Sequence, residues 1–75
     1  MTFGERILLR RRRRGLTQRE LAQAAGMNAN TLARVERGEV KDLAGQLVAG
    51  LARALGCTSD YLLGLTDDDA EEGAA

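Results

Sequence analysis

Residues 17–38, TQRELAQAAGMNANTLARVERG, constrain this 75-residue chain more than any other stretch. Thr17 with Glu20 three positions on is the pattern of a capping box, and Leu16 and Leu21 stand at the flanking positions of a hydrophobic staple. Leu21, Ala22 and Ala25 share one side of the helix so begun, and Gly26 stops it. The pattern then repeats. Asn28 caps a second helix, and Met27 and Leu32 form its staple. Leu32, Val35 and the stem of Glu36 fall on one face, while Asn30, Ala33, Arg34 and Arg37 fall on the other with Ala29 beside them. Gly38 is its stop. Two helices this short, joined by a glycine-containing turn, must cross sharply, and the small Ala22 lets another helix pass close by.

The flanking segments also read as helix. The chain has no proline, and Ala, Leu, Arg and Glu recur throughout. No run alternates as a strand does. Thr2 and Glu5 form a capping box for a helix from residue 3 to about residue 14, with Gly15 after it. Phe3 and Ile7 face inward on that helix, and Arg11 continues their stripe. An arginine on a buried stripe needs a partner, and Glu36 is the candidate. Leu8 lies at the edge of the core. Leu9 falls on the outer side, as an ordinary exposed apolar residue or part of a contact. Further on, Asp42 is expected to cap a helix over residues 43–55, where Leu43, Leu47, Leu51 and Leu55 recur every four positions beside Val48 and Ala52. Gly45 and Gly50 weaken it by roughly 1 kcal/mol each relative to alanine. Thr58 caps a short last helix, and Cys57 and Leu62 are its staple, which gives Cys57 the role of a small apolar residue rather than a redox sensor.

The formal net charge is zero, but it is the sum of two unlike regions. Residues 1–65 hold all 11 basic side chains against Glu5, Glu20, Glu36, Glu39, Asp42 and Asp60, a net of +5. Asp67, Asp68, Asp69, Glu71 and Glu72 give residues 66–75 a charge of −5. The expected organisation is therefore one basic domain, residues 1–65, and an acidic disordered tail, residues 66–75. The tail either solubilises the chain or competes for the basic surface. The five arginines at 10–14 point around the whole circumference of a helix, so only two or three can meet a phosphate and the others are solvated or paired. A nuclear-localisation reading of that run is the weaker one.

There is no histidine, and the one cysteine has no base partner. These features, with no metal-ligand cluster, argue against an enzyme, a metal site and a cofactor. No apolar run approaches membrane-spanning length, and a lone cysteine fits a reducing cytoplasm. Phe3 and Tyr61 are the only aromatic side chains, too few for the stacking platforms of RNA or single-stranded DNA binders.

Gln18, Glu20, Leu21, Ala22, Gly26, Leu32, Glu36 and Gly38, at this spacing, resemble the helix-turn-helix of the lambda-type repressor and Cro family, also called the XRE family. The resemblance extends from Phe3 to about Leu65. It implies an all-α, compact five-helix lambda-repressor-like fold in which the second and third helices form the helix-turn-helix. It further implies a double-stranded DNA partner, with the third helix in the major groove. Ala29, Asn30 and Arg34 then occupy the base-contact positions, Asn30 suited to adenine and Arg34 to guanine. Arg11, Gln18, Asn28, Arg37 and Lys41 are the expected phosphate contacts. The same family pattern links the first and third helices through an Arg11–Glu36 ion pair. A domain this small reads few base pairs, so a homodimer on an inverted repeat is expected, with Leu47, Tyr61 and Leu65 as its surface. The resemblance implies a cytoplasmic, nucleoid-associated regulator of a bacterium or phage, most simply a repressor. The rival reading is a protein-interaction module, such as an antitoxin or an anti-repressor partner. The loop after Gly38, residues 39–42, belongs to a stretch that reads VKDLAGQ here, where the resemblance implies a proline in many relatives.

Overall fold

Two reciprocal capping boxes start the first two helices. Thr2 N–H donates to Glu5 Oε1 at 2.9 Å and Glu5 N–H donates to Thr2 Oγ1 at 3.1 Å. Thr17 and Glu20 make the same pair of bonds at 2.9 and 3.0 Å. In the computed structural model, which describes residues 1–66, these helices are α1, Phe3–Arg13, and α2, Gln18–Ala25. Asn28 Oδ1 accepts the Asn30 N–H at 2.7 Å and opens α3, Ala29–Glu36. Two more helices follow, α4 at Gly45–Leu55 and α5 at Ser59–Leu62, the latter capped by Thr58 Oγ1 from Tyr61 N–H at 3.0 Å. All regular structure among the described residues is helical. The expected disorder of the acidic tail, and its competition for the basic surface, concern residues 67–75, outside the described residues.

The fourth helix departs from expectation at its start. It begins at Gly45, its N-cap is Ala44, and no side chain caps it. Asp42 is exposed in the loop instead. The reason is packing: Val40 and Leu43 lie partly buried against the core from the loop, so the chain stays non-helical until both are seated. Within α4 the buried side chains are Val48, Leu51, Ala52 and Leu55, and Leu47 is only half-buried.

Ile7, Leu21, Leu32, Leu51, Leu55 and Leu62 are fully buried and come from all five helices. Burial of one such side chain is worth about 1.5–3 kcal/mol, which makes this cluster the main stabilising element. Cys57 is wholly buried among them, in the staple position beside Leu62. Tyr61 also belongs to this core, at 5% exposure, with the Arg6 guanidinium 4.8 Å from its ring centroid. Two close backbone approaches hold the layers together. A Cβ at Gly50 would stand 2.8 Å from the Ala25 carbonyl oxygen, so the glycine that weakens α4 also lets α2 end against it. A Cβ at Gly4 would collide with the Val35 and Glu36 carbonyl oxygens, which brings α1 onto the C-terminal end of α3.

Candidate nucleic-acid interface

Helix α3 divides cleanly. Leu32, Val35 and Glu36 are buried, while Asn28, Asn30, Arg34 and Arg37 are exposed and Ala29 is half-buried. The outer row starts at the cap and runs to the last turn, so its polar groups point away from the core along one side. Asn28 uses its carboxamide oxygen on the Asn30 N–H, which leaves its NH2 pointing outward as a donor. Lys41 is exposed in the loop after α3.

Beneath this row lies a carboxylate hub. Glu36 Oε2 accepts from Arg11 Nε at 2.7 Å, and Oε1 accepts from Arg11 Nη2 at 3.0 Å and from Gln18 Nε2 at 2.9 Å. A third nitrogen, Arg11 Nη1, donates to the Leu16 carbonyl at 2.9 Å. One buried side chain thereby joins α1, the start of α2 and the end of α3. The Arg11 side chain is only 12% exposed, and three of its five N–H donors are bonded inside the protein. It braces the motif, and its expected phosphate contact is left to its two remaining N–H donors. Gln18 keeps its second amide hydrogen and its carbonyl oxygen for an outside partner. The Gln18–Glu36 bond was not legible in the pattern, since it links residues 18 positions apart through a crossing angle.

The arginine run is also divided by the fold. Arg10 is buried, and its Nη2 donates to the carbonyls of Leu55 and Gly56 at 3.3 and 3.1 Å. Arg14 Nη1 reaches the Leu55 carbonyl at 3.5 Å. These cations satisfy the C-terminal carbonyls of α4 and complement its dipole. Arg12 and Arg13 remain exposed.

At the far end of α3 the chain turns back in a Schellman motif. Gly38, at φ 81°, donates to the Val35 carbonyl at 3.0 Å, and Glu39 N–H donates to the Arg34 carbonyl at 2.9 Å. The turn lays the Glu39 side chain over the last turn of α3. Its carboxylate pairs with Arg37 Nε and lies 3.8 Å from Arg34 Nε. The hydrogen bond from Arg37 holds the Glu39 carboxyl below its ordinary range and raises Arg37 in turn. Glu20 is likewise lowered, chiefly by the backbone N–H of Thr17. The Glu39 contact was missed in the sequence, although the R-G-E step after a helix is the signal that would have found it.

The expected dimer residues are scattered. Tyr61 is in the core, which removes it from that surface. Leu47 is half-buried, and the exposed apolar side chains at that end are Leu63 at 52% and Leu65 at 73%. No group of side chains able to hold a metal ion occurs among the described residues, and no helix among them is long and apolar enough to cross a membrane.

A helix-turn-helix family model matches residues 7–62. No curated protein matches the chain significantly. Among solved structures, the P22 c2 repressor in complex with synthetic operator 9T is 33% identical with a TM-score of 0.79, over 84% of this chain and 94% of that one. The DNA-binding domain of the same repressor in solution is 30% identical with a TM-score of 0.80, over 97% of this chain and 92% of that one. SinR, a master regulator for biofilm formation, in complex with DNA is 26% identical with a TM-score of 0.77, over 81% of this chain and 97% of that one.

Proposed function

The chain belongs to the XRE-type, lambda-repressor-like helix-turn-helix family, whose members are DNA-binding regulators rather than enzymes, and from that premise we propose that it is a sequence-specific transcriptional repressor. Helix α3 enters the major groove of duplex DNA, N-terminal end first. Ala29, Asn30 and Arg34 meet base edges: the methyl of Ala29 beside a thymine methyl, Asn30 on adenine N6 and N7, Arg34 on guanine O6 and N7. Gln18, Asn28, Arg37 and Lys41 meet phosphates, helped by the unpaired N–H groups at the start of α2. Arg11 fixes Glu36 and through it Gln18, and keeps two N–H donors for a phosphate.

The observation that carries this reading is the exposed row from Asn28 to Arg37, in the fold that the P22 c2 repressor presents to its operator. A homodimer on an inverted repeat, with half-sites about one helical turn apart, completes the scheme. Its contact would form at the α5 end through Leu63 and Leu65 with Leu47. Selection of sites from random duplex DNA, followed by a salt titration on the best site, tests the proposal. Enrichment of an inverted repeat with a steep salt slope is the expected result. Weak binding with no enriched site would overturn it.

A second reading has one observation behind it. A chain of the SinR–SinI protein complex also matches, at 27% identity and a TM-score of 0.79, where this chain spans 60% of the matched chain. The exposed Leu63 and Leu65 would then receive a different protein. Tight capture of such a partner without any specific DNA site would favour that reading.

A further inference from the structure

We infer that Glu39 is an affinity-attenuating residue: a built-in stand-in for phosphate that occupies Arg37 and Arg34 until DNA displaces it. The inference rests on the proposed DNA-binding role of α3 and goes beyond it, because Glu39 belongs to none of the expected contacts.

Three observations place the carboxylate. The Schellman turn ties the Glu39 backbone to the Arg34 carbonyl, which brings its side chain within reach of both arginines. Both of its oxygens are used, Oε2 by Arg37 Nε and Oε1 by Arg37 Nη2 at 3.5 Å, with Arg34 Nε 3.8 Å from Oε1. This two-oxygen, guanidinium-facing arrangement is the one a phosphate adopts with arginine. The pair is also open to water: the Arg37, Arg34 and Glu39 side chains are 59%, 57% and 49% exposed. Exposed ion pairs of this kind are weak and are screened by salt, so they exchange readily. The lowered Glu39 carboxyl keeps its charge throughout the neutral range.

The consequence is a cost that DNA binding has to meet. On a correct site Arg34 leaves Glu39 for a base edge, and the bidentate bond there repays the exchange. On an arbitrary site no base offers that bond, and both arginines gain only a phosphate in place of a carboxylate they already hold. Glu39 thus subtracts from binding on both kinds of site, and at least as much on the correct one, where Arg34 has to give it up. Without it, Arg37 takes a phosphate on any duplex, and Arg34 adds a second one only where it has no base to read.

The test compares Glu39→Gln with Asp42→Asn, which makes the same charge change three positions along the same loop. Asp42 is exposed and forms no ion pair with these arginines. Binding is measured on the selected site and on a scrambled duplex across a salt series. Glu39→Gln should tighten scrambled-duplex binding roughly five- to tenfold at low salt and steepen its salt slope by about 0.9 or more. It should tighten selected-site binding at least as much, because Arg34 there no longer has a carboxylate to leave. Asp42→Asn, which frees no arginine, should raise both affinities by a clearly smaller factor. If Glu39→Gln tracks Asp42→Asn on both duplexes, the inference is overturned and the DNA-binding reading stands. If the unaltered chain binds neither duplex, both fall together.

Discussion

Two glutamates at the end of α3, three residues apart, are both held by arginines and do opposite things. Glu36 is 8% exposed and accepts three hydrogen bonds from two other helices. Glu39 is half exposed and pairs with its own neighbours in sequence. The chemistry of the pairs is the same, and the difference lies in water. A buried carboxylate that loses its partners keeps a desolvated charge, so Glu36 is locked into the scaffold. A carboxylate at the surface loses little on exchange, so Glu39 can be traded for another anion. Within one turn of chain the protein has both a fixed and a replaceable arginine–carboxylate contact.

The largest test of that contrast is removal of the buried partner. Glu36→Ala should destabilise the fold by about 3–5 kcal/mol, because Arg11 is left buried and uncompensated. Urea unfolding measures it, and a cost within the range of surface substitutions would break the comparison. Next, Gly4→Ala should cost about 1–3 kcal/mol, since its Cβ meets the carbonyls of Val35 and Glu36 and must push α1 away from the hub. A variant of unchanged stability whose Arg11–Glu36 pair survives would show that the close approach is dispensable. On the exposed row, Arg34→Ala should cost about 1–3 kcal/mol of DNA binding and relax preference at one base pair, with little change in thermal midpoint. Equal weakening on all sequences would make Arg34 a phosphate contact instead. Thr17→Ala should remove roughly 1 kcal/mol of stability by unmaking the cap of α2.

The smallest effect is the pH dependence of the exposed carboxylates. Glu5, Glu20 and Glu39 all sit below their ordinary range when folded, the first two through backbone N–H groups and the third through Arg37. A depressed carboxyl lends stability above its unfolded value, and that contribution is lost as pH falls through the folded one. Stability should therefore decline gently on acidification below the ordinary glutamate range. Replacing Glu20 by glutamine should flatten that decline, as read from urea midpoints across acidic pH.

Much of this was legible in the residues because it is local. The capping boxes at Thr2 and Thr17, the caps at Asn28 and Thr58, and the division of α3 into an inner and an outer face each depend on spacings of three or four positions. The family pattern rests on the same spacings, and it too was readable. What escaped was the allocation of charge. Five consecutive arginines look equivalent in a sequence. The fold sends Arg10 to the end of α4 and Arg11 to Glu36, and leaves Arg12 outside. The same limit applies to Asp42, which had the right spacing for a cap and lost that place when Leu43 was drawn to the core.

By itself the sequence determined where the helices begin and end, the start of α4 excepted, and which face of each is apolar, because hydrogen-bonded caps and helical periodicity act over a single turn. Only the tertiary structure decided which charges are scaffold and which are available. Burial, and so the cost of leaving a charge unpaired, depends on what crosses above it from a distant part of the chain. Glu36 is fixed because α1 and α2 close over it, and Glu39 is exchangeable because nothing does.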